Sequence, residues 1–258
     1  MMRLLGIFLA LAAGLAFAQA QPADREALWK EVAAAEKKGL PKTAAARLQL
    51  IYDSALRDGQ HAEAIKALAK RITHEGAVQG SKPEEKITRL QAELEKTPAE
   101  ARPLLQTILG HWYWQYFRAN RYRFLQRTAT AQPLGDDFTT WDLPRLYREI
   151  DLHFTNALAD GRLKTIPTTD FADLLTKPTL PEKYRPTLYD FIAHEALGFY
   201  TSGEFAAAKP EDAFEVRASD PLLGPLDKFL AWVPETTDTE SPQFKAVRLY
   251  QDVLRFHL

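Results

Sequence analysis

The chain has 258 residues, of which 46% are hydrophobic and 26% charged, and a formal charge of −1. That make-up is too apolar and too balanced for a disordered tail, and too neutral to bind a phosphate backbone through net charge. The length suggests one or two domains with a core large enough to need neither a metal nor a disulfide as support.

Arg3 precedes an uncharged apolar run, Leu4 to Ala18, and Ala16-Phe17-Ala18 and Ala18-Gln19-Ala20 offer small-x-small cleavage sites. The run is shorter than the ~20 apolar residues of a membrane-spanning helix. Residues 1–20 are therefore expected to be a signal peptide, and its removal also removes Arg3 and takes the charge to about −2. There is no cysteine, so no disulfide, thiolate ligand, cysteine nucleophile or lipid-acceptor thiol. The expectation is an exported chain, periplasmic or secreted, with no lipid anchor and no membrane span.

From Asp24 onward the periodicity is helical. Residues 24–38 carry Leu28, Trp29, Val32 and Ala35 and stop at Gly39-Leu40-Pro41, a C-cap glycine followed by a breaker. Residues 42–58 place Leu48, Ile51, Tyr52, Ala55 and Leu56 on one stripe and close at Asp58-Gly59; residues 61–74 repeat the pattern with Ile65, Leu68, Ala69 and Ile72. Short helices joined by tight glycine turns make antiparallel hairpins. A loop is expected from Gly76 to Ser81, and a charged helix from Pro83. Residues 99–119 form a long apolar segment with Leu105, Ile108, Leu109, Trp112 and Tyr116 on one face, and 128–142 read as a loop. Leu143, Leu146, Tyr147, Ile150, Phe154 and Leu158 mark the next helix, ended by Asp160-Gly161. A proline-rich connection leads to 186–202, apolar on nearly every side and so a buried helix. The stretch 203–241 is mixed, and a last helix starts near Pro242 with Ser241 as its cap. No alternating run reaches strand length and no strict 34-residue repeat recurs. The fold class is all-α: an irregular, solenoid-like stack of helical hairpins, resembling tetratricopeptide arrays. It divides into hairpins at 21–80 and an aromatic-rich region at 81–258, continuous with the first. That region ends within a helix, as if the chain went on.

Catalytic signatures fail on inspection. His194-Glu195 opens a zinc-protease helix, but the second histidine it needs falls on Gly198. His194 therefore reads as a hydrogen-bonded core residue, and the six histidines show no ligand spacing. Asp136-Asp137 lacks the alternating acids of a calcium loop and reads as a turn that caps the next segment. No nucleophile elbow, P-loop or dinucleotide fingerprint is present. The expectation is no enzyme, no cofactor and no metal. The most distinctive stretch is His111 to Arg127, where seven aromatics interleave with four arginines. Such a stretch can stack single-stranded nucleic acid, but export argues against that partner. Rings packing neighbouring helices, with arginines stacked over them or paired with acids, is the preferred account.

Several segments carry a family likeness. Trp112-Tyr113-Trp114-Gln115-Tyr116, Asn120-Arg121, Arg127-Thr128, Asp137 to Leu143 and Arg185 to Phe191 resemble the N-terminal helical region of large bacterial alpha-2-macroglobulin-like proteins. Gly39 to Ala44 and Ile51 to Ala55 are similar to it as well, so the likeness covers most of the chain after the signal peptide. It implies a periplasmic or surface protein that traps proteases. In such proteins a cut bait segment triggers rearrangement, and a Cys-to-Gln thioester links to the attacker. Without cysteine and without a β-sandwich series, this chain has neither thioester nor bait region, and no trapping residue carries over. The expected role is to pack against or position downstream domains of the same polypeptide, with a protease engaged only through the full-length protein. Trp112, Trp114, Arg118, Arg121, Arg123, Phe138 and Trp141 are the candidate contact surface. The alternative is a stand-alone periplasmic helical scaffold that binds a protein or peptide partner.

Overall fold

The computed structural model describes residues 24–80, 82–126, 135–172, 174–175, 184–204 and 213–258. The expected signal peptide lies outside the described residues, as does the first part, 128–134, of the loop expected at 128–142. The protein is all-helical. Ten α-helices and no strand occur among the described residues, with one isolated antiparallel bridge between Pro167 and Thr187.

The first three helices form the hairpins that the glycine turns require. α1 (Arg25–Lys37) starts where the Asp24 side chain accepts from the Ala27 N–H. It ends at Gly39, whose φ of 65° lets the Leu40 N–H return to the Ala35 carbonyl at 2.9 Å. α2 (Pro41–Arg57) repeats the device: Gly59 has φ 68°, and Gln60 N–H reaches Ala55 O at 2.8 Å before α3 (His61–Val78) begins. Leu48, Ile51 and Ala55 of α2 meet Ile65, Leu68 and Ile72 of α3 in a fully buried seam, with Val32 of α1 packed on it. Gly76 does not end α3, contrary to expectation. The helix runs on to Val78, and Gly80, at φ 92°, takes the turn. An exposed glycine weakens a helix without stopping it unless the chain must enter the left-handed region.

α4 (Pro83–Leu94) leads to α5 (Arg102–Ala119), and a five-residue α6 (Arg121–Leu125) follows. α5 packs along α7 (Leu143–Leu158), whose N-cap Asp142 accepts from Arg145 N–H at 2.9 Å. Gly110 leaves room for the Phe154 ring: a Cβ there would lie 3.3 Å from it. Just before α7, Asp137 caps a 3-10 turn at Phe138–Thr140.

α8 (Leu188–Tyr200) is the buried helix expected from its composition. It opens with a capping box in which Thr187 and Asp190 bond to each other's backbone N–H. Within the mixed stretch lies α9 (Leu226–Ala231), which no sequence signal announces. The fully buried Gln251 holds it, donating to the carbonyls of Phe229 and Trp232 at 2.7 and 2.8 Å. Gln251 belongs to α10 (Pro242–His257), which lies against α8, with Phe256 edge-on to Tyr189 at 5.3 Å. Ser241 occupies the N-cap position of α10 but does not cap it. Its hydroxyl donates to the Phe214 carbonyl at 3.2 Å instead. One buried cluster runs from Val32 to Leu249, so the hairpins and the aromatic-rich region share a core.

Candidate functional site

The aromatic–arginine stretch divides by helical geometry. Tyr113, Tyr116, Phe117 and Phe124 turn inward and are buried. Trp112 and Trp114 are half-buried and take cations on their faces: Lys86 lies 4.9 Å from the Trp112 ring and Arg118 lies 5.8 Å from the Trp114 ring. The Trp114 indole N–H also donates to Glu204, and Arg118 sits 3.6 Å from the same carboxylate. Burial disfavours a charge on Lys86 and lowers its pKa. Beyond Arg118 the side chains of Arg121, Tyr122 and Arg123 are exposed, Tyr122 by 73%.

Phe138 and Trp141, expected on the contact surface, are in the core at 4% and 5% exposure. Both pack on Tyr113, Phe138 edge-on at 5.1 Å and Trp141 stacked at 6.2 Å. The reason is the 3-10 turn, which folds the segment back over α5 rather than letting it project. The stack continues on either side: Arg145 lies 4.3 Å from the Trp141 ring, and His153 stacks on Tyr113 at 5.5 Å. Burial pushes His153 down to about 4, pushes the Tyr113 hydroxyl up, and raises Glu149 against the opposing charge of Arg145. The Glu149 carboxylate is 3.5 Å from His153 Nε2. His194 is half-buried, and its Nδ1 lies 2.7 Å from the Asp190 carbonyl one turn back. Among the described residues no group of three or more His, Cys, Asp or Glu side chains is arranged to hold a metal ion. No helix among them is long and apolar enough to cross a membrane.

A second site has no signature in the sequence. A cavity of about 730 Å³ opens between α7, the end of α8 and the start of α10. Its polar centre is Asp151, which accepts from the Tyr200 hydroxyl and from Lys245 Nζ, both at 2.6 Å. Lys245 also donates to Glu240 at 2.6 Å. Burial pushes the Tyr200 hydroxyl up, and the Asp151 charge adds to the effect. For Lys245 burial works against the charge, but the bonds to Asp151 and Glu240 outweigh it and the pKa rises. Tyr147 lines the same cavity and donates to the Glu204 backbone carbonyl at 2.7 Å. Lys245 and Tyr200 lie 94 and 49 positions from Asp151, so only the folded chain brings them together.

The chain matches no protein-family model, no curated protein and no solved structure.

Proposed function

We propose that this protein is a helical module of an alpha-2-macroglobulin-like protein, exported, and acting by surface contact with neighbouring domains rather than by chemistry. The observation that carries the contact role is the exposed end of the aromatic stretch. There Arg118, Arg121, Tyr122 and Arg123 are all exposed, while the other rings of the stretch are buried or half-buried. Arginine and tyrosine are the side chains that anchor interfaces, through planar hydrogen-bonding forks and large rigid contact area. Support for the family comes from the likeness of the quoted segments. Apart from Arg127-Thr128, which lies outside the described residues, they fall at the α1–α2 turn, within α2, along α5 and at its junction with α6, at the capped start of α7 and at the capping box of α8. Those are the positions that build the fold, as expected of a shared scaffold.

The test is an immunoblot of source-cell extract with an antibody raised against residues 24–258. A band far larger than the 29.2 kDa of this chain, carrying bait and thioester sequences, supports the module. A band at the size of this chain alone rules out the module and leaves the stand-alone scaffold, which the open cavity beside α10 favours as a binding groove. In either case Arg121→Glu combined with Arg123→Glu should weaken the contact without unfolding the chain, since both side chains are exposed.

A further inference from the structure

The cavity between α7, α8 and α10 has a lining unequal in charge. Among the described residues it carries the acids Asp151, Glu215, Asp238 and Glu240 against the bases Arg148 and Lys245, two more acids than bases. Its walls carry the rings of Tyr147, Tyr200, Phe214 and Tyr250. Lys245 demonstrates how a basic group fares here, its ammonium held between two carboxylates at 2.6 Å each. We propose that this cavity is a binding site for a lysine or arginine side chain presented by a polypeptide.

Three features fit that ligand. A basic side chain has a long apolar stem, which the tyrosine and phenylalanine rings cover, and ring faces also attract the cationic head. The excess carboxylate favours that head and repels an acidic one. A volume of about 730 Å³ exceeds a single side chain and leaves room for the backbone that presents it. Glu240 is well placed to meet the incoming cation, because its side chain is 74% exposed although one oxygen already holds Lys245. This inference stands apart from the family reading: the presenting polypeptide is defined by its charge, whatever protein it belongs to.

The test uses the full chain and three five-residue peptides, acetyl-Gly-Ala-X-Ala-Gly-amide with X arginine, glutamine or glutamate, followed by tyrosine ring shifts in NMR at low salt. The arginine peptide should shift the resonances of Tyr147, Tyr200 and Tyr250 saturably, with the glutamine peptide about tenfold weaker and the glutamate peptide weaker still. Glu240→Gln should weaken the arginine peptide about threefold, as expected for one partly exposed charge contact. Tyr250→Ala, at an exposed ring of the lining, should weaken it independently of charge. Equal affinity for the three peptides, preference for glutamate, or no saturable shift at millimolar arginine peptide overturns the proposal.

Discussion

Replacing His153 by leucine should remove a large part of the protein's sensitivity to mild acid. The imidazole is 5% exposed, stacked on Tyr113, bonded to Gln106, and pushed by burial from an ordinary value of 6.5 to about 4. The folded form therefore binds this proton less readily than the unfolded form. Stability is complete above about pH 6.5 and drains away as the pH falls towards 4, at up to ~1.4 kcal/mol per pH unit. Between pH 7 and pH 5 the linkage amounts to about 2 kcal/mol, and the full span to about 3 kcal/mol. Glu149 works the other way. Burial raises its pKa, so the folded form takes up that proton first and gains stability as the pH falls. That uptake offsets part of the wild-type loss. Urea unfolding at pH 7 and pH 5 for both proteins isolates the effect, because the other titrating groups are common to both. Wild type should lose about 2 kcal/mol more than His153→Leu over that interval. If the two proteins lose the same amount, His153 is not a buried neutral imidazole.

Phe154, with no exposed surface, lies against Phe199 at 5.8 Å and against Gly110, so Phe154→Ala should cost about 4 kcal/mol in urea unfolding. Gly59→Ala should cost about 1 kcal/mol through backbone strain alone, since φ is 68° and a Cβ there meets nothing within 4 Å. An alanine that is neutral at 59 would show that the turn relaxes out of the left-handed region. Gln251→Leu leaves the carbonyls of Phe229 and Trp232 without their donor. It should free α9, raising amide exchange across Leu226–Ala231 while the α2–α3 hairpin keeps its protection.

Local physics decides which features the sequence makes legible. Helix ends at Gly39 and Gly59, the start of α7 at Asp142 and the buried character of α8 all follow from residues within a turn or two of one another. Gly76 misleads because glycine is a stop only where the backbone must turn left-handed, and that demand falls on Gly80. Ser241 misleads because a serine hydroxyl serves whichever acceptor or donor the fold presents. The one it takes is a carbonyl 27 positions away. Helix α9 is short and held chiefly by one buried amide from α10, so its own six residues carry little periodicity to read.

The site divides on the same line. Along α5 and α6 the helical period sorts rings from arginines, and the exposed Arg118, Arg121 and Arg123 are legible at once. Phe138 and Trp141 are not, because an aromatic in a loop has no period to tell which way it points, and only the 3-10 turn sends both onto Tyr113. The cavity is the extreme case. Asp151 on α7 and Lys245 on α10 look like ordinary surface residues in the sequence, Tyr200 at the end of α8 reads only as part of a buried helix, and nothing local marks any of them as a site. Folding brings an ammonium and a phenol to one carboxylate, where burial makes each bond dependent on the others. Removing Asp151 would leave both partners half-satisfied in a partly buried place, so that residue holds the cavity together. The exposed Glu240 and Tyr250 are free to vary with whatever the cavity receives.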